Sequence, residues 1–207
     1  MRRKFILSAS LALCASTALA ADGPVKMHPV KDYCVKYDLS GSMVSGTSEI
    51  YSRDYGRIIV TKDNTKAGFG GFSQTTISHN TTIGPDIYNI NPATMTGSKA
   101  KNPVYDSVKN VDQKDLANST LTALGYTDTG TDKTIAGTMC NVYSGQLGTA
   151  CFTPTGVALE TNVMGTSMVA NYYQEGCRGD DADFTLYKRA KITDAPDMSE
   201  IMKMMGR

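Results

Sequence analysis

Apolar and polar positions alternate along most of this chain, and glycines, Asn-Pro and Ser/Thr clusters break the alternation every ten residues or so. Val35, Tyr37 and Leu39 share one side of a period-two pattern, and Lys36, Asp38 and Ser40 share the other. That is the pattern of a strand buried on one face. The same reading predicts strands over 35–43, 47–52, 56–63, 75–83, 87–90, 133–143, 149–154, 157–163, 167–174 and 184–192. Two stretches change period. Asp112 caps a predicted helix that carries Leu116, Leu121 and Leu124 and stops at Gly125. Asp197 caps another, with Met198, Ile201, Met202 and Met205 along one face. The expected body is a mainly β, antiparallel domain with two or three short helices.

The first residues follow a different logic. Arg2, Arg3 and Lys4 precede an apolar run from Phe5 to about Ala15, and Ala18-Leu19-Ala20 precede Ala21. These are the parts of a cleaved secretory signal, and the run is too short for a membrane anchor. The expectation is a signal peptide over 1–20 and one domain over 21–207, released as a soluble protein into the periplasm. Of the 21 basic residues, 18 remain after cleavage against 20 acidic ones. No basic field is left for nucleic acid, and membrane contact is expected only as a transient one.

An oxidising compartment gives the cysteines a meaning. Cys14 leaves with the signal, and Cys34, Cys140, Cys151 and Cys177 remain. Counting outward from the turn in "NVYSGQLGTA" sets Cys140 opposite Cys151, and Cys34 pairs with Cys177 by elimination.

Candidate chemistry is sparse. "YDLSGSM" places Asp38, Ser40 and Ser42 in the Asp-x-Ser-x-Ser order of a metal-dependent adhesion site. The segment that follows is β-rich where such a site needs a long helix, so the string reads as the bend of a hairpin. Met198, Met202 and Met205 offer thioethers to Cu(I), which makes copper handling the first alternative function and leaves the adhesion module through Asp38, Ser40 and Ser42 as the second. His28, in a mobile N-terminal arm, and His79 both read as lone surface histidines with no nucleophile beside them, and no GxSxG elbow is present. A non-enzymatic protein without a cofactor is expected.

"LTALGYTDTGTDKTIAGTMCNVYSG" (121–145), "GTSEIYSRDYGRIIVTKD" (46–63) and "ADFTLYKRAKI" (182–192) resemble a family of secreted bacterial proteins of unknown function. That family is related in fold to the LolA-like periplasmic lipoprotein carriers. Tyr187 stands where the family's closing Phe-x-Leu-Pro strand has proline. The resemblance implies a curved, half-open antiparallel β-barrel with helices over its concave face, and a carrier of an apolar ligand, a lipid or an acylated protein. Ile58, Val60, Val142, Val169, Met202 and Met205 are the expected lining.

Overall fold

Short turns between β-propensity runs leave the chain one economical solution, a meander in which each strand pairs with the next. The computed structural model describes residues 26–69, 72–102, 105 and 125–195. The described chain forms β1 (Tyr33–Gly41), β2 (Val44–Arg53), β3 (Ile58–Phe69), β4 (Phe72–Ile83), β5 (Asp86–Asn91) and β6 (Thr96–Lys101). It continues with β7 (Thr127–Ile135), β8 (Thr138–Gly145), β9 (Gly148–Phe152), β10 (Ala158–Val163) and β11 (Thr166–Glu175). A short helix α1 (Asp181–Thr185), a 3-10 turn (Leu186–Lys188) and β12 (Lys191–Asp194) follow. All twelve strands belong to one sheet in the order β12-β6-β5-β4-β3-β2-β1-β11-β10-β9-β8-β7. Two meanders are thus joined where β1 meets β11, in antiparallel register from Tyr33 opposite Glu175 to Gly41 opposite Thr166. β7 touches β11 although three strands lie between them, so this half of the sheet curls on itself. The sheet stays open at its β7 and β12 edges. The mainly β, curved and half-open architecture expected from the sequence is therefore present.

Three strand assignments change. The run 133–143 is two strands, because Ala136 (φ 50°) and Gly137 (φ 76°) make the two-residue positive-φ turn that folds β7 onto β8. Thr96–Lys101, too polar to announce itself, pairs with β5 along six residues and forms β6. The run 184–192 is α1, the 3-10 turn and then β12, which adds to β6 in parallel. The predicted helices over 112–124 and 197–205, and the signal over 1–20, lie outside the described residues.

Two cores sit on opposite sides of β1, as its alternation requires. Val35 and Tyr37 join Val30, Tyr33, Cys140, Cys151, Val157, Leu159 and Ala170 in the larger one. Leu159 is fully buried at the bulge between Ala158 and Glu160, and Tyr37 donates its hydroxyl to the Ala158 carbonyl at 2.6 Å. Cys34, on the other face, packs with Tyr51, Val60 and Phe184.

α1 is held on that second face by several independent means. Asp180 caps it, accepting from the Ala182 amide at 2.9 Å, and Asp181 and Asp183 suit the positive end of the helix. The Cys34–Cys177 disulfide ties the preceding loop to β1. Phe184 is buried, with the Arg53 guanidinium 3.6 Å above its ring. Gly179 (φ 64°) lies so close to Tyr51 that a Cβ there would be 2.7 Å from the Tyr51 ring. This anchoring explains the misread strand. The Phe184/Leu186 alternation is real, but the cap and the disulfide direct it into a helical turn over a sheet face.

Candidate functional site

The covered face carries a row of ionisable side chains that crosses four strands. Register places Lys36 opposite Glu49, Glu49 opposite Lys62, and Lys62 opposite His79, so all four side chains stand on one face. α1 sets Asp183 above them. Lys62 Nζ lies 3.2 Å from Glu49 Oε2 and 3.0 Å from Asp183 Oδ2. Lys36 Nζ lies 3.2 Å from Glu49 Oε1, and the Tyr51 hydroxyl donates to Glu49 Oε2 at 2.6 Å. His79 Nε2 is 3.8 Å from Asp183 Oδ1 and makes no hydrogen bond to the described residues.

The electrostatics follow from this crowding. Partial burial disfavours the charged form of Glu49, but hydrogen bonds from Tyr51, Lys36 and Lys62 prevail and hold its carboxyl at about 2. Burial also works against charge on Lys62, and the Asp183 and Glu49 partners outweigh it, so its ammonium is held above the ordinary range. For His79 burial wins over the attraction of Asp183, and its pKa falls below 6.5. A neutral imidazole beside a carboxylate is the resting state near neutrality.

A cavity of about 440 Å³ opens against this cluster. Glu49, Lys62, His79 and Asp183 form one side of it, and Ile77, Pro92 and Leu186 supply apolar surface. The volume falls in the range of small-molecule sites. The Thr81 hydroxyl, 3.5 Å from His79 Nδ1, is fully buried. The arrangement is suited to holding a charged or hydrogen-bonding group.

The sequence-derived residues distribute as follows. Both disulfides are present, Cys34–Cys177 and Cys140–Cys151, although Val142 rather than Cys140 faces Cys151 in register. Val60 and Ile58 belong to the core beneath Phe184. Val142 packs against the larger core, and Val169 is 36% exposed opposite Asp38. These four are not brought together around one cavity, and Met198, Met202 and Met205 lie outside the described residues. Asp38 and Ser40 stand on β1 and Ser42 in the hairpin turn. The Asp38 carboxylate accepts from Asn171 at 2.9 Å. No cluster of three or more His, Cys, Asp or Glu residues suited to a metal occurs among the described residues.

Both histidines differ from their sequence reading. His79 is 4% exposed, because it stands on the face that α1 covers. His28 is half-buried against the Tyr33 ring, with centroids 5.0 Å apart, and its Nδ1 accepts from the Val30 amide. The Glu49–Lys62–Asp183 group escaped sequence reasoning altogether. Its one local sign is that Glu49 and Lys62 fall on the same side of neighbouring strands once the hairpin register is known.

With this geometry in hand, similarity to known proteins is informative only at the level of architecture. No protein-family model matches the chain, and no curated protein matches it in sequence. A crystal structure of an uncharacterized conserved protein from Thermus thermophilus is similar, with a TM-score of 0.52 at 9% identity, covering 83% of this chain and 94% of that one. The Thermus match is a match of fold. A crystal structure of MucB aligns at a TM-score of 0.47 and 10% identity, covering 79% of this chain and 60% of that one. MucB in complex with MucA(peri) aligns at 0.40 and 10% identity, covering 72% and 52%. No described helix is long and apolar enough to cross a membrane.

Proposed function

We propose that the protein is a non-enzymatic binding protein of the periplasm, which holds an amphipathic ligand between α1 and the sheet. The reading is carried by the 440 Å³ cavity, whose walls offer Ile77, Pro92 and Leu186 to a chain and Lys62, Glu49, His79 and Asp183 to a head group. A lipid, or the acylated end of a protein, presents that combination. The secretory start and the two disulfides support the compartment. The inaccessibility of the Thr81 hydroxyl beside His79 supports a role without chemistry.

Native mass spectrometry of protein purified without detergent, followed by calorimetric titration with oleate and with a lysophospholipid, tests the idea. One ligand per chain is expected, with affinity lowered about tenfold or more in Lys62→Met. A protein that carries no adduct and takes up neither probe is not a carrier of this kind.

A further inference from the structure

Four hairpins, β1–β2, β3–β4, β8–β9 and β10–β11, end at one edge of the sheet. Register fixes this: Gly41 pairs with Thr166, Val44 with Ala67, Phe69 with Phe72, and Gly148 with both Gly145 and Val163. At or beside each hairpin end a large apolar side chain points into solvent. Phe72 is 86% exposed, Met43 62%, Met164 85% and Leu147 51%. Strand order sets them in that sequence along the rim. Neighbouring tips are tied together, Gly68 donating to the Met43 carbonyl at 2.9 Å and Met164 to the Leu147 carbonyl at 3.3 Å.

Two further observations say what this rim faces. The tips are uncharged: residues 40–46, 67–76, 144–149 and 161–168 contain no Asp, Glu, Lys or Arg. The opposite ends of β1–β4 and β11, with the adjoining β5 and β6, carry Asp32, Arg53, Asp54, Arg57, Asp86, Lys101 and Glu175. The second observation concerns Met164, which occupies a positive-φ position (52°) before Gly165 (78°). Asn or Asp is the residue that such a two-residue turn favours, and an unbranched apolar side chain gains nothing there for the fold.

A projecting, discontinuous row of apolar side chains on an uncharged Ser/Thr/Gly background gives a protein partner little shape to match. The interfacial zone of a bilayer accepts such side chains one by one, and the hydrocarbon that their tips would reach penalises charge, which is absent here. We infer that this end of the sheet is a membrane-docking edge, at which Phe72, Met43, Met164 and Leu147 enter the interface of a lipid bilayer together. Because the edge carries no formal charge, docking needs no anionic lipid and survives high salt.

Flotation of the purified protein with vesicles of phosphatidylcholine and phosphatidylethanolamine, at low and high salt, tests this. The comparison is with the triple variant Met43→Ser, Phe72→Ser, Met164→Asn, and with Met139→Ser, which removes a 57% exposed methionine elsewhere. The expected result is flotation of the wild type at both salts, at least a roughly tenfold loss in the triple variant, and none in Met139→Ser. Melting temperatures verify that the triple variant is folded, and Met164→Asn alone provides a turn-compatible second test. Three results overturn the inference: no flotation of the wild type, equal flotation of the triple variant, or a wild-type dimer in the absence of lipid that the triple variant abolishes. The last would give the edge to a second copy of the chain.

Discussion

Among single residues, Lys62 has the most consequential position, because it is the cation between Glu49 and Asp183. Lys62→Met leaves two carboxylates facing each other across a partly covered site. Its melting temperature should fall, and Glu49→Gln in the same chain should restore part of the loss, a coupling that a double-mutant cycle reads directly. The pH dependence has a definite sign. Glu49 titrates near 4.5 when unfolded and at about 2 when folded. Its contribution is therefore complete above 4.5 and disappears as the pH falls towards 2. His79 and His28 have folded pKa values below 6.5, so the unfolded chain takes up their protons first and stability begins to fall as the pH drops below 6.5. Urea midpoints measured through the acid range should show both limbs. Glu49→Gln flattens the lower limb, and His79→Gln weakens the upper one. In the larger core, Leu159→Ala should cost about 2–5 kcal/mol, since the residue is fully buried at a bulge.

Among the elements, the two disulfides are unequal. Cys34–Cys177 closes a separation of 143 residues and Cys140–Cys151 one of 11. On the chain-entropy account the longer bridge contributes about 2 kcal/mol more. Denaturation of Cys34→Ser/Cys177→Ser beside Cys140→Ser/Cys151→Ser measures the difference. Only the first pair should also loosen α1, seen as faster amide exchange at 181–188. Much of the hairpin layout was legible here: strands along 35–43, 47–52 and 167–174 match β1, β2 and β11 to within a few residues. What escaped was decided by turns and tethers. Ala136-Gly137 lacks the Asn-Gly or Asp-Gly spelling of a hairpin, and Thr96–Lys101 has no apolar face of its own. Phe184 alternates like a strand residue but is drawn onto the sheet by a disulfide that spans 143 residues.

For the molecule as a whole, β1 is the keystone, since it joins the two meanders through β2 on one side and β11 on the other. Its pairing with β11 is among the least local in the chain, so loop closure must precede its reward and folding should be slow for the chain's size. Hydrogen exchange should rank the strands accordingly. Amides of β1, β2 and β11 exchange only on global opening, whereas the edges β7 and β12 exchange first. Equal protection across the sheet would contradict that ranking.

The material of this protein is written along the chain: alternation that specifies half-buried strands, turns that specify hairpins, and Cys34, Cys140, Cys151 and Cys177, which pair. Each of those signals acts within a few residues, which is why it can be read locally. What lies together is settled only in three dimensions. Glu49, Lys62, His79 and Asp183 meet because register and the seating of α1 superimpose positions up to 134 residues apart. The four apolar tips align because four separate hairpins end at one level. Neither arrangement has a local spelling, since pairwise contact between distant strands is fixed by the sheet and not by any stretch of the chain.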